Sequence, residues 1–225
     1  GMLRNFIFPL NKCQGEYIAI CEGDDYWIDP LKLQKQVVFL DNNPDFSSCF
    51  TDVKILKDGV VSDGGALREK HKKDSDKISV FYDLWIPTLT FVYRRASMLS
   101  FPEQFEKVKS GDIFLFYLAA QKGRIKYLDF ISGVYRQHEN GVWTGANTQS
   151  QINQTIVTLD YIKDYFKDNE KIKSIIQSKI ANAKISMMKY YFTKKDKKEF
   201  LKYTAGLLLA HPKMLFDKKL YFFIK

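Results

Sequence analysis

Three carboxylates fall within four residues of one another near the start of the chain, in the segment Glu22-Gly-Asp-Asp25. They close a short apolar run, Tyr17–Glu22, that is typical of a buried strand. Clustered carboxylates repel one another unless a cation or hydrogen bonds compensate, and Mg²⁺ or Mn²⁺ prefers such oxygens together with substrate phosphates. One turn or helix cap explains one carboxylate, not three. We therefore interpret Glu22, Asp24 and Asp25 as a functional cluster, and Asp29 as a helix cap.

A fourth carboxylate, Asp112, lies in the segment Ser110-Gly-Asp112 at the start of an apolar helix predicted over Asp112–Lys122. The helix dipole favours an anion in a first turn, so position alone supports a structural role and a catalytic role equally. The acidic cluster upstream favours the catalytic role, as a general base.

A third segment, Ser132-Gly-Val-Tyr-Arg-Gln-His138, ends in two residues that suit anionic ligands. Arg136 is suited to a diphosphate, and a neutral His138 imidazole suits a metal or a phosphate. A single histidine is more often structural, so a functional role for His138 is supported only by the residues near it in this segment. Trp143 follows in a glycine-rich stretch that either covers a sugar or nucleotide or is a surface loop anchored by one aromatic ring, and the pattern slightly favours the loop.

Helical and strand-like patterns alternate before residue 150, which predicts an α/β layered domain over residues 1–149. After residue 150 the pattern is helical throughout, including Lys171–Phe192 and a further helix that Thr193 and Asp196 cap. After the acidic cluster the pattern predicts a helix that Asp29-Pro30 opens, the strand Ser47–Leu56 and a mobile surface loop Asp63–Lys77. It then predicts a helix Ile78–Trp85 and the strand Thr88–Tyr93. Beyond Asp112 it predicts the strands Ile125–Leu128 and Ser132–Arg136.

The net charge of +9 belongs to the last third of the chain. Residues 1–150 hold 19 basic and 19 acidic residues, whereas residues 151–225 hold 16 lysines, no arginine and 7 acidic residues. Because arginine makes the bidentate contacts to bases and phosphates, this pattern argues against a nucleic-acid binder. The lysine-rich region 150–225 either packs its apolar face on the α/β domain or contacts anionic lipid. For a lipid contact, the side chains expected to insert into the bilayer are Leu215, Phe216, Leu220, Tyr221, Phe222 and Phe223.

Three cysteines without a CxxC pair favour a reducing compartment over a disulfide framework. No run of 18 apolar residues is present. The expected location is the cytoplasm, either free or peripheral to the inner face of the membrane.

The segment 15–36, with Glu22-Gly-Asp-Asp25 at its centre, resembles the metal-binding region of family 2 glycosyltransferases. Ser110-Gly-Asp112 and Tyr135-Arg-Gln-His138 are similar to two further motifs of that family. The resemblance implies a truncated GT-A (Rossmann-like) fold, with a mixed sheet flanked by helices, and inverting sugar transfer from a nucleotide-diphosphate donor to a glycan or lipid-linked acceptor.

The resemblance also implies a role for each candidate residue of these motifs. Asp24 would bind Mg²⁺ or Mn²⁺ at the donor diphosphate, with Glu22 in place of the family's first aspartate, and Asp112 would be the general base. The other implied contacts are those of Glu22 and Asp25 with the ribose or with groups around the metal, of Arg136 with the diphosphate, and of His138 with the metal. The candidate contact of Trp143 with the donor rests on its glycine-rich surroundings alone.

The resemblance begins near residue 5 and ends near residue 150, so it lacks the nucleotide-binding units that open the family's domain. We therefore expect strand Tyr17–Glu22 to lie at a sheet edge, which predicts a homodimer, and we expect nucleotide-sugar binding to be weak or undetectable. The alternative is a non-catalytic remnant that serves as an interaction or structural module.

Overall fold

The computed structural model describes residues 2–82, 85–139, 141 and 143–210. These form two compact units, residues 1–145 and residues 146–225, which are described separately. Within the described ranges, no helix is both long and apolar enough to cross a membrane.

A six-stranded mixed sheet forms the centre of the first unit, as the α/β prediction requires. The chain alternates these strands with three helices: α1 (Met2–Lys12), β1 (Tyr17–Ala19), β2 (Tyr26–Trp27), α2 (Lys32–Asn42), β3 (Phe46–Lys57), β4 (Val60–Val61), β5 (Val92–Arg94), α3 (Gly111–Ala120) and β6 (Arg124–Gln137).

The sheet order is β1-β5-β3-β6-β2, with β4 also paired to β3. Strands β3 and β6 are parallel, and the other pairs are antiparallel. The apolar run that ends in the acidic cluster therefore begins as the strand at one end of the described sheet, as expected for an edge, and the homodimer stays a prediction.

Helices α2 and α3 bury apolar side chains against this sheet. Leu40 of α2 packs with Phe46, Cys49 and Val92, and Phe116 of α3 meets the ring of Phe91 edge-on at 4.7 Å between centroids. Each fully buried side chain of this size removes enough apolar surface from water to contribute about 2 kcal/mol. These contacts fix the start of α3, and with it Asp112.

Two predictions of strand boundaries are wrong. The two strands predicted after residue 124 are one continuous strand, β6, whose register against β3 shifts near Asp52; such bulges bend a strand without ending it. In the predicted strand Thr88–Tyr93, the first three residues form a short 3₁₀ turn that Thr90 stabilises by donating from Oγ1 to the carbonyl of Pro87 at 2.8 Å.

The predicted helix Ile78–Trp85 is also wrong where the structure describes it. Only a 3₁₀ turn, Ser79–Phe81, forms there, and residues 83 and 84 lie outside the described ranges. Asp76 at its start accepts the backbone N–H of Ile78 and Ser79 at 2.8 and 2.7 Å, as an N-cap residue does, and the turn that it caps ends at Phe81.

The segment 63–77 was predicted as a mobile loop, but Asp52 of β3 anchors it. One carboxylate oxygen of Asp52 accepts the backbone N–H groups of Val53, Ala66 and Leu67 at 2.8, 2.9 and 2.9 Å. Gly65 allows this approach, because a Cβ there would lie 2.1 Å from Asp52 Oδ2. The segment also pairs Ser75 with Ile125 of β6. The segment is therefore a surface loop with many exposed side chains that is attached to β3 and β6 at these points.

The second unit is a chain of three helices: α4 (Thr148–Tyr165), α5 (Glu170–Thr193) and α6 (Lys197–Ala210). Asn147 and Asn169 cap α4 and α5 through their side-chain oxygens, and Asp196 accepts the N–H of Glu199 at 3.1 Å at the start of α6. Helices α5 and α6 pack through Ala181, Met188 and Leu207. The insertion candidates of the sequence analysis, residues 215–223, lie outside the described residues.

Candidate functional site

The acidic cluster lies on the connection between β1 and β2. The chain leaves β1 with Ile20 N–H donating to the carbonyl of Phe91 at 3.3 Å. It turns with Asp25 N–H bonded to the carbonyl of Glu22 at 3.1 Å. It then enters β2, where Tyr26 and Trp27 pair with Val134 and Gly133 of β6. Both ends of this short connection are therefore held by the sheet.

Arg136 of β6 ties this connection in place. Its backbone N–H donates to Asp25 Oδ1 at 2.8 Å, and its Nε donates to the backbone carbonyl of Asp24 at 2.8 Å. Arg136 thus brings a positive charge beside the carboxylates, and it holds the turn that presents them.

His138, two residues further along the chain and just beyond the end of β6, pairs with Asp24. Its Nε2 lies 3.1 Å from Asp24 Oδ2. Both side chains are partly open to solvent, at 36% and 42% exposure. The structure therefore brings Asp24, Asp25, Arg136 and His138 together, although the two pairs are separated by more than 100 residues in the chain.

Glu22 and Asp112 form the buried side of the same site. Burial, followed by the charges of Asp25 and Asp112, raises the pKa of Glu22 to about 7. Burial also raises the pKa of Asp112 above its usual value, against the lowering effect of hydrogen bonds from the Ile113 N–H and from Thr88. Because a pKa of about 7 leaves Glu22 only partly ionised near neutral pH, this side of the site is able to exchange protons.

Thr88 links these two carboxylates. Its hydroxyl lies 3.4 Å from Asp112 Oδ2 as a donor, and its interaction with Glu22 lowers the pKa of that carboxyl. One Glu22 oxygen, Oε2, is buried and has no hydrogen-bond partner among the residues that the structure describes. A buried acceptor without a partner is costly, so such an atom points to a group that binds there.

The pKa of the Tyr135 phenol responds to the charges of all four carboxylates. Burial and then the negative charges of Asp25, Glu22, Asp24 and Asp112 raise its pKa to about 12. Burial raises the pKa of Asp25 itself to about 6, which the Arg136 N–H partly opposes. Four acidic side chains from two segments of the chain therefore share one electrostatic environment, with Tyr135 and Arg136 beside them.

Trp143 lies on the turn that follows His138, with 42% of its surface exposed. The N–H of Gly145 donates to the carbonyl of Gly141 at 2.8 Å, and a Cβ at Gly145 would lie 1.9 Å from the Glu139 carbonyl oxygen. A tight, glycine-dependent turn thus carries an accessible indole face. This placement agrees with either interpretation of Trp143.

The side chains of this site are only partly suited to bind a hard cation such as Mg²⁺. Asp24 offers partly exposed carboxylate oxygens, and Mg²⁺ commonly uses one or two such ligands with substrate phosphates. Among the residues that the structure describes, however, no group of three or more His, Cys, Asp and Glu side chains is placed to hold a metal ion. A cation at Asp24 would therefore depend on oxygens supplied by a ligand.

Sequence reasoning missed Thr88 and Tyr135. Tyr135 lies inside the motif Tyr135-Arg-Gln-His138, so its position was available as a signal. Thr88 carried no signal, because it was assigned to a strand and its link to Asp112 depends on the 3₁₀ turn.

No protein-family model matches the chain. The chain is similar to proteins of Mycobacterium tuberculosis and Mycobacterium bovis that are named only as uncharacterized proteins, with 36% identity over 148 residues. The match covers 66% of this chain and 42% of each of those relatives, so the chain spans less than half of their length.

Proposed function

We propose that the cluster of Glu22, Asp24, Asp25 and Asp112 is the active site of an inverting glycosyltransferase that uses a nucleotide-diphosphate sugar and a glycan or lipid-linked acceptor. The observation that carries the proposal is the convergence of these four carboxylates with Arg136 and His138, two of them with raised pKa values near neutrality. The motif resemblance to family 2 enzymes supplies the reaction.

Asp112 acts as the general base. As the acceptor oxygen attacks the anomeric carbon, Asp112 takes the hydroxyl proton, the bond from that carbon to the diphosphate breaks, and the electron pair leaves on the nucleoside diphosphate. The raised pKa of Asp112 strengthens it as a base, and Thr88 orients its carboxylate.

Asp24 is the residue that would hold a divalent cation, and such a cation would neutralise negative charge on the departing diphosphate. Arg136, whose Nε donates to the Asp24 backbone carbonyl, adds a positive charge at the same turn. His138 positions the Asp24 carboxylate through the 3.1 Å contact. Trp143 has an exposed ring that suits stacking against the donor.

The second candidate is a non-catalytic module derived from such an enzyme. One observation favours it: in the described part of the chain, no three-ligand metal group is formed, and Asp24 is engaged by His138 instead. The two candidate functions differ in whether the carboxylates catalyse sugar transfer from a bound nucleotide-sugar.

The test is saturation-transfer NMR with a panel of uridine, guanosine, thymidine and cytidine diphosphate sugars in the presence of Mg²⁺, because this method detects weak complexes. We expect signals from at least one donor that require Mg²⁺ and disappear in Asp24→Asn. Release of the nucleoside diphosphate, followed over time, should be lost in Asp112→Asn while donor binding remains.

Glu103→Gln is the matched control, since Glu103 is a surface carboxylate paired with Lys107, and its loss should change neither readout. If no donor in the panel binds the wild-type chain, or if Asp24→Asn binds as well as wild type, the enzyme proposal fails for this chain. Donor binding without any Asp112-dependent turnover supports the non-catalytic module.

A further inference from the structure

The outer face of α6 carries an exposed apolar stripe. Leu201 and Leu209 are 63% and 84% exposed, and exposed Ala205 lies between them, so the three are spaced at four residues on one side of the helix. The opposite side of α6 packs on α5 through Phe200, Tyr203, Leu207 and Leu208. Helix α6 is therefore apolar on two sides, and among the described residues only one of these sides is covered, by α5.

Lysines flank this stripe. Lys197 and Lys198 are exposed at the start of α6, and Lys202 lies one turn further, paired with Glu199 at 3.1 Å. Two more exposed lysines, Lys194 and Lys195, occupy the turn between α5 and α6. Within the described ranges, Lys195, Lys197 and Lys198 have no acidic side chain at ion-pair distance. Together the stripe and these five lysines are termed the α6 face.

The turn that presents the lysines is ordered by the backbone. Lys195 adopts a left-handed conformation with φ of 56°, and the N–H of Asp196 donates to the carbonyl of Tyr191 at 3.0 Å. Asp196 thus caps α6 and Glu199 pairs with Lys202, while the five lysines of the turn and of α6 are exposed.

We propose that the α6 face docks the protein on an anionic lipid bilayer, with α6 lying parallel to the surface. A helix with leucines and lysines on one exposed face matches the interface between acyl chains and headgroups, where leucine enters the acyl region and lysine meets the phosphates. A nucleic-acid partner fits less well, because the face exposes leucine and has no arginine.

Charge and apolar contact each make a separate contribution to this docking. A lysine close to an anionic membrane changes binding by about fivefold, so the double variant Lys197→Gln/Lys198→Gln should lower the vesicle partition coefficient by roughly thirtyfold. The double variant Leu201→Gln/Leu209→Gln should lower it by roughly tenfold or more. Both pairs of side chains are exposed, so neither change should disturb packing.

The experiment is co-sedimentation of the full chain with vesicles of phosphatidylcholine alone or mixed with phosphatidylglycerol, at low and at high salt. We expect binding only to the anionic vesicles and its loss at high salt, where screening shortens the reach of charge from about 10 Å to about 3 Å. The control is Lys167→Gln/Lys171→Gln, which removes the same charge from exposed positions at the start of α5 and just before it, about 36 Å away along the 24 residues of α5.

Several results overturn the proposal. These are a lack of binding by the wild-type chain, an equal loss in the control, or unchanged binding in the leucine variant. A DNA duplex that binds wild type and the leucine variant equally well at the same salt would instead show a general polyanion surface. Association of two copies that the leucine variant abolishes, in the absence of lipid, would assign the stripe to a dimer.

Discussion

Replacing Glu22 by glutamine should make the first unit more stable, and more so as the pH rises. Burial raises the pKa of the Glu22 carboxyl to about 7 from its ordinary value of 4.5. Ionised Glu22 is therefore less favourable in the folded protein than in the unfolded chain. That difference in pKa corresponds to a cost on the order of 3 kcal/mol once the side chain is ionised in both states.

The sign of the pH dependence follows from the order of the two pKa values. Below about pH 4.5 the carboxyl is neutral in both states and the cost is absent. Between 4.5 and 7 the unfolded state loses its proton first, so stability falls as the pH rises, and above 7 the full cost is present. The glutamine side chain that replaces Glu22 in the variant is neutral throughout. The stability gain of Glu22→Gln over wild type should therefore grow from roughly 1 kcal/mol at pH 5 to roughly 3 kcal/mol at pH 8.

Urea unfolding followed by tryptophan fluorescence measures this difference. All three tryptophans, Trp27, Trp85 and Trp143, lie in residues 1–145, so the signal reports on the unit that contains Glu22. Asp25, with a pKa of about 6, titrates in the same range. Both proteins contain Asp25, so the difference between the two curves reports Glu22 together with its coupling to Asp25.

The surface variant Glu103→Gln makes the same chemical change at an exposed ion pair, which contributes little at any pH. Its stability should track wild type from pH 5 to pH 8. A difference between Glu22→Gln and wild type that stays constant with pH, or that shrinks as the pH rises, would refute the buried-carboxylate reasoning. A constant offset alone would indicate only changed hydrogen bonding at the site.

Three further predictions address other parts of the first unit. Asp52→Ala removes the acceptor of three backbone N–H groups and should destabilise the unit by about 3 kcal/mol, with faster tryptic cleavage within residues 68–73; an unchanged cleavage rate would contradict the anchoring role. Thr88→Val should lower turnover, displace its pH profile and leave donor binding intact, whereas an unchanged profile would argue against Thr88 as a positioning residue. Burial lowers the pKa of Lys32 to about 8, so wild-type stability should rise between pH 8 and pH 10, and Lys32→Met should flatten that rise in urea titrations.

Patterns within single elements could be predicted from the sequence. Strand β3 was predicted as Ser47–Leu56 and is Phe46–Lys57, and α5 was predicted as Lys171–Phe192 and is Glu170–Thr193. Both have long, regular patterns of apolar residues, so local sequence suffices. The elements that were predicted wrongly are short or irregular. Their 3₁₀ turns and bulges depend on hydrogen bonds that are either long-range or outside the regular bonding of a helix or a strand.

The candidate site divides in the same way. The residue types of Glu22, Asp24, Asp25 and Asp112 were recognisable as a source of chemistry because carboxylates in such density are unfavourable without a function or a compensating partner. Their mutual arrangement was not recognisable. It arises because β2 pairs with β6, which brings Arg136 and His138 onto the turn at Asp24 and Asp25.

Sequence alone therefore determined which side chains carry charge, where the long regular elements such as β3 and α5 lie, and that the positive charge belongs to the last third of the chain. These properties depend on composition and on spacing along the chain. Only the tertiary structure decided which carboxylates are buried, that Thr88 joins Asp112, that Asp52 anchors the segment 63–77, and that Leu201 and Leu209 remain exposed. Those properties depend on which distant segments exclude water from a given side chain, and that exclusion exists only once the strands and helices have packed.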